Sequence, residues 1–397
     1  MRLRQAHLQA VVQVVAGLAL NIFPAIFIAI YARVAPIDDQ GFLALSLAVG
    51  VYVAQLLNAF VVEGRLATPE ADHNLSLPGW AASMSIVAGA LLVWAPAVVP
   101  HAVLLVSSIG LMTGLLMSRT IGVVTGRWKR EAFAATVLIA ASTVALVLSA
   151  TELRDHSVRL LAAGAVCATL TRYWPRSRTR GFGMPPDVRR SSWVTAETAV
   201  VGIVQPAMTS IVLVVMGPAA SVAFRVISTV SGALEPILSY GRYRLLAHGH
   251  KGELATFGAV FVAGMVAVIV GAFSGLGSLI FGPAWDDVGV VAFLLACLWK
   301  GFMLLSTVPF AALRKAGETA LVFRVRALST VIYLAIGVVF LVIWHSTAAI
   351  FLAFVLAELI TTLVYHYAAT RGAPEYRESF GAPARSAPGE GRGDGDH

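Results

Sequence analysis

The chain has 397 residues, 58% of them hydrophobic and only 13% charged, with a mean hydropathy of +0.81. Soluble domains carry about 25% charged residues, so a water-soluble enzyme or binding module is excluded and lipid is the implied solvent. At about 20 residues per span there is room for a dozen transmembrane helices, short loops and a tail.

The net charge of +8 and the pI near 9.8 do not point to nucleic acid, because no soluble basic domain is present to carry it. In a membrane protein, Lys and Arg collect in cytoplasmic loops as topology signals. Cys167 and Cys297 both sit inside apolar runs, which implies neither a disulfide framework nor a metal cluster. Phosphate-binding Gly-rich loops, HExxH and CxxC are missing, and no connection is long enough to fold as an ATPase. These absences argue against an enzyme and against a bound cofactor. Energy for any vectorial work must come from an ion gradient, the membrane potential, the substrate's own gradient or a separate subunit.

From the N-terminus, the basic segment Met1–His7 leads into an apolar run without a clear small-residue cleavage site, which reads as an uncleaved first helix. Apolar runs bounded by charges or Gly/Pro predict helices at 9–33, 41–62, 79–99, 101–124, 131–150, 157–173, 194–216, 218–240, 256–281, 289–312, 324–344 and 347–369. The sixth is the shortest. Links as brief as Met216-Gly217-Pro218 and Trp344-His345-Ser346 join only antiparallel neighbours.

Both termini and the connections after helices 2, 4, 6, 8 and 10 hold 24 of the 29 basic residues, while the opposite set holds Arg33, Arg154 and Arg159. This asymmetry predicts a bacterial cytoplasmic-membrane protein with both termini in the cytoplasm and an even number of spans. The chain then divides into a six-helix lobe at 1–174, a basic cytoplasmic linker at 175–193, a second six-helix lobe at 194–370 and a disordered tail at 371–397. Because six is even, the halves run in the same sense, as parallel repeats do. A faint internal echo lays 41–50 over 223–232, matching Phe, Ser and Gly.

Charges within spans are costly, about 2.5–3.5 kcal/mol each on insertion scales. Lys300 and Glu358 each lie eleven residues into a helix that enters from the outer face, at one depth of about 16 Å. They read either as a buried ion pair or as an ion-coupling site. Arg225 and Glu235-Pro236 lie on helix 8, and Gln205-Pro206 on helix 7. Helix 1 carries Asn21 and Pro24, and helix 2 carries Gln55 and Asn58. Singly, such residues are more often helix-packing contacts than ligand sites. Together they mark the first two helices of each half, where a cavity between pseudo-symmetric halves would be lined.

Three stretches carry a family resemblance. Tyr31-Ala-Arg-Val-Ala-Pro-Ile-Asp-Asp-Gln-Gly41 resembles the helix 1–2 junction of polysaccharide flippases, and Leu279-Ile-Phe-Gly-Pro-Ala-Trp-Asp-Asp287 resembles their helix 9–10 junction. Phe310-Ala-Ala-Leu-Arg-Lys-Ala-Gly317, followed by Arg324 and Arg326, resembles their helix 10–11 loop. The chain is thus similar to the polysaccharide-biosynthesis branch of the multidrug/oligosaccharidyl-lipid/polysaccharide exporter (MOP) superfamily. The resemblance implies an all-α fold with two six-helix lobes around a central cavity. It also implies alternating-access flipping of a lipid-linked oligosaccharide, in company with a polysaccharide polymerase and glycosyltransferases. Arg225 would then face the pyrophosphate, and Arg33 would line the outer mouth. The sparse charge of the cavity helices, the short sixth helix and the modest length depart from that pattern. The alternatives are an ion-coupled small-molecule or multidrug exporter of the same superfamily, or an integral-membrane enzyme acting on lipid-linked sugars.

Overall fold

The computed structural model describes residues 2–66, 76–96, 98–173, 187–235, 238, 251–316 and 318–373, and every regular element among them is helical. Most of the expected linker and nearly all of the expected tail lie outside these described residues. The first half comprises α1 (Arg2–Tyr31), α2 (Ile37–Asn58), α3 (Gly79–Trp94), α4 (His101–Val124), α5 (Trp128–Ser149) and α6 (Ser157–Tyr173). The second comprises α7, in two pieces (Val188–Gly202 and Val204–Met216), α8 (Pro218–Ser231), α9 (Lys251–Gly271), α10 (Val290–Lys315), α11 (Thr319–Trp344) and α12 (Thr347–Gly372).

Proline sets many of the boundaries. Pro36, Pro78 and Pro100 sit just before α2, α3 and α4, where a missing N–H breaks no intrahelical bond. Pro218 opens α8 at its first turn. The third helix ends at Trp94, short of the expected residue 99, because Pro96 cannot continue it. Conversely, α11 starts at Thr319 instead of 324, one turn before Arg324 and Arg326.

Among the described residues, nine helices are long and apolar enough to cross a membrane, and Gly79–Trp94 and Pro218–Leu234 are shorter apolar helices. The 17-residue α6, with Arg159 and Arg172, has the weakest span signature, and its packing on α3, α4 and α5 holds it in the bundle.

The two halves share most of their packing scheme, the exception being α3 on α6, which is prominent only in the first. In the first, α2 packs on α4, α3 on α4, α4 on α6, α5 on α6 and α1 on α5. The second repeats each pair six helices on: α8 on α10, α9 on α10, α10 on α12, α11 on α12 and α7 on α11. This is a polytopic membrane fold of two pseudo-symmetric lobes. Small residues permit the close approaches: a Cβ on Gly110 of α4 would lie 2.6 Å from the Met84 carbonyl oxygen, and one on Gly114 would lie 2.6 Å from Ser85 Cβ. The lobes meet where α2 packs on α7 and α8, and where α1 packs on α8. Asn21 Nδ2 donates to the Gly232 carbonyl across that seam at 3.5 Å.

Three irregularities cluster near the seam. Pro206 breaks α7 one turn earlier, at Ile203, by removing a donor and crowding the Gly202 carbonyl. α8 tightens into a 3-10 turn at Gly232–Leu234, just before Pro236 in the sequence. α2 runs on through a π turn at Ala59–Glu63.

Candidate functional site

The cavity lies at the seam, with a volume of about 510 Å³. Its walls come from α1 (Leu20, Asn21, Pro24), α2 (Val51, Tyr52, Gln55), the broken part of α7 (Gly202, Gln205, Pro206), α8 (Arg225, Ser228, Thr229) and, after it, Gly232, Glu235 and Leu238. They also come from α10, α11 and α12. Seven of the site residues expected from sequence line this one space: Asn21, Gln55, Gln205, Arg225, Glu235, Lys300 and Glu358. The prolines explain why the walls are irregular, since a helix freed from its regular bonding can turn polar backbone toward a cavity.

Two expected residues lie elsewhere. Asn58 Nδ2 donates to Glu63 Oε1 at 3.1 Å, bridging the π turn at the end of α2, and the residue does not border the cavity. Arg33 does not border the cavity; it ties the lobes together at the end of the bundle where α1 finishes. It donates to the carbonyls of Leu279 and Ile280, both at 3.0 Å, and to Ser149 Oγ at 3.2 Å. Burial lowers the pKa of this guanidinium from its ordinary value, yet arginine stays charged in proteins. Arg33→Ala is therefore expected to lower thermal stability by about 1.5–3 kcal/mol, the range for hydrogen bonds that involve a charged group. Arg33→Lys should recover only part of that, because one ammonium cannot reproduce the fork. Unfolding of the purified protein by heat checks this, and an unchanged midpoint for Arg33→Ala would contradict the clamp.

Charge within the cavity is arranged in a connected series. Lys300 Nζ contacts Glu235 Oε1 at 2.6 Å and lies 4.0 Å above the Trp299 ring. Trp299 Nε1 donates to the Tyr333 hydroxyl at 2.8 Å, and that hydroxyl donates to Glu358 Oε2. Lys300 and Glu358, expected at one depth, thus border the same space, with the ammonium on Glu235 and the carboxylate on Tyr333. Further along the wall, Arg326 pairs with Glu197 at 2.7 Å and covers the Phe310 ring at 4.5 Å.

Arg225 differs from these cations. It is 7% exposed, and its Nε is buried without a hydrogen-bond partner among the described residues. Gln205 Oε1, Ser228 Oγ and Thr361 Oγ1 are likewise buried and unsatisfied, and all three residues line the cavity. Buried polar groups are paired in the great majority of cases, and these four leave the cavity wall with bonding capacity to spare, as do other buried polar atoms elsewhere in the bundle.

Sequence reading misses Trp299, Tyr333, Arg326 and Tyr365, which form the wall from α10 to α12. A Tyr or Trp in an apolar helix serves packing as readily as bonding, and Arg326 is read only with the helix 10–11 junction.

The comparisons agree with the architecture. The fold is similar to an inward-facing conformation of a multidrug resistance MATE family transporter of the MOP superfamily, with a TM-score of 0.55 and 11% identity. That match covers 94% of this chain and 99% of the other. An outward-facing conformation of a multidrug resistance MATE family transporter of the MOP superfamily matches with a TM-score of 0.50 and 11% identity, over 93% of this chain and 95% of that one. No family model matches the sequence, and no curated protein matches it. The chain therefore has the fold of the MATE transporters of the MOP superfamily. Identity this low speaks for the fold alone.

Proposed function

We propose that the protein is a membrane transporter working by alternating access, and that its cargo is a lipid-linked oligosaccharide or polysaccharide precursor flipped across the bacterial cytoplasmic membrane. The observation that carries this reading is Arg225: a buried, incompletely bonded guanidinium bordering a cavity between two lobes. A guanidinium grips phosphate oxygens through two parallel hydrogen bonds, and the orphaned Gln205, Ser228 and Thr361 offer neutral partners for sugar hydroxyls. The fold supports movement of one lobe against the other, with residues 1–174 and 194–370 as the two bodies and the Arg/Lys-rich end in the cytoplasm. Polysaccharide polymerase and glycosyltransferases are the partners such a cargo implies.

A second reading is an ion-coupled exporter of small molecules. It is favoured by Glu235 and Glu358 on the cavity wall and by a volume of about 510 Å³, inside the range of about 300–1,000 Å³ usual for small-molecule sites. Proteoliposomes separate the two. A fluorescent pyrophosphate-linked glycan placed in one leaflet should reach the other only when the protein is present. Proton-driven efflux of an organic cation with no movement of the glycan would replace the flippase by the exporter.

A further inference from the structure

Arg33 stands at the seam with one guanidinium nitrogen turned to each lobe. Nη1 stays within the first lobe, donating to Ser149 Oγ of α5 at 3.2 Å and to the Ala29 carbonyl of α1 at 3.3 Å. Nη2 crosses to the second lobe and donates to the carbonyls of Leu279 and Ile280, both at 3.0 Å. Those carbonyls belong to the short helix Gly277–Phe281, between α9 and α10, which ends at Gly282 with φ +55°. Aromatic packing fixes the turn: Phe281 stacks on Trp285 at 5.5 Å, and Trp285 meets Phe293 of α10 edge-on at 5.9 Å. The last carbonyls of a helix lack partners within it and carry partial negative charge, so a guanidinium caps them well.

We infer that Arg33 is a latch between the lobes: its Nη2 bonds hold the bundle shut where α1 finishes and part when the cavity opens to that side, while its Nη1 bonds keep the side chain in place for reclosure. The inference rests on the reading of the protein as an alternating-access transporter, with the end of α1 at the outer face as the Arg/Lys asymmetry has it. Three features suit a contact made to break. The crossing and anchoring bonds use different nitrogens, so the first pair can go without the second. Arg33 is half-buried and Leu279 is 71% exposed, so water replaces the lost bonds as the lobes separate. The crossing partners are carbonyls and not a carboxylate, so opening strands no buried counter-charge, which would cost more. Arg33 is thus a positioning residue that sets how often the cavity faces outward.

The test uses the full chain in right-side-out membrane vesicles. Cys167→Ser removes the exposed native thiol, and Thr229→Cys places one on the cavity wall. Cys297, buried within the second lobe, reports whether a lobe itself comes apart. A membrane-impermeant maleimide is added from outside, at a temperature where every variant stays folded. With Arg33→Ala, Thr229→Cys should label at least about tenfold faster than with Arg33 intact, the population shift that losing a charged hydrogen bond supports. Arg33→Lys should fall between, since it keeps the charge and loses the fork. Gly282→Ala attacks the latch from the other lobe, because its positive φ suits glycine and a Cβ there would lie 3.3 Å from Arg33 Nε and Nη2. It too should speed labelling. Cys297 should stay unlabelled throughout.

Labelling of Thr229→Cys at one rate with and without Arg33→Ala would overturn the latch and leave alternating access standing. Labelling of Cys297 in step with position 229 would make Arg33 a brace that keeps the lobes folded, which also overturns the latch. If Thr229→Cys reacts in inverted vesicles and never from outside in any variant, the outward opening on which the inference rests is itself removed.

Discussion

Glu131→Leu, and likewise Arg172→Leu, is expected to destabilise the protein by about 3–5 kcal/mol, the range for breaking a buried ion pair. Glu131 of α5 and Arg172 of α6 meet through two parallel bonds, Nε to Oε1 at 2.9 Å and Nη2 to Oε2 at 3.0 Å, with side chains 1% and 2% exposed. The pair fits because the facing residue of α4 is Gly122, where a Cβ would come within 2.2 Å of Glu131 Oε1. Replacing Glu131 leaves the Arg172 guanidinium buried without its counter-charge. Removing both partners leaves no orphaned charge, so Glu131→Leu with Arg172→Leu should recover much of the loss. Unfolding curves for the two single variants and the double variant decide it. Losses that simply add would show that the two residues act independently.

The sequence carries the helices plainly because lipid imposes its own length scale: a run of about 20 apolar residues matches the thickness of the hydrocarbon core. Helix order and most boundaries follow, with errors where a single residue decides. Pro96 stops α3 early, and α11 starts at Thr319, five residues before the expected 324. Arg326 can sit inside the helix because Glu197 and the Phe310 ring receive it.

The cavity is legible from its helix breakers. Gln205-Pro206 and Glu235-Pro236 announce irregular helices, while Pro24 lies within an unbroken α1, and polar residues beside all three line the cavity. Which charge meets which cannot be read the same way. Depth along helices 10 and 12 brings Lys300 and Glu358 level, but rotation about each axis decides the contact, and that depends on packing across three helices. Glu235 reaches Lys300 from α8, a pairing no spacing rule exposes. Arg33 shows the opposite limit. Its place at the end of α1 suits a mouth-lining residue, whereas the short helix Gly277–Phe281, between α9 and α10, offers it the carbonyls of Leu279 and Ile280 to cap.

Arg225→Ala in the glycan-flipping proteoliposomes is the measurement that bears most directly on the proposed function. The guanidinium is 7% exposed and its Nε already lacks a partner among the described residues, so truncation forfeits little stabilising hydrogen bonding. Its contribution is reserved for the cargo, where a desolvated Arg at the centre of a contact is worth enough to change rates on the order of 100-fold. Delivery of the pyrophosphate-linked glycan to the far leaflet should therefore fall by about that factor or more. Arg225→Lys should be intermediate, since it keeps the charge and loses the fork. Both variants should insert and unfold at temperatures close to wild type. If Arg225→Ala delivers the glycan at the wild-type rate, or loses thermal stability in step with delivery, Arg225 is a packing residue and the anion-gripping cavity is contradicted.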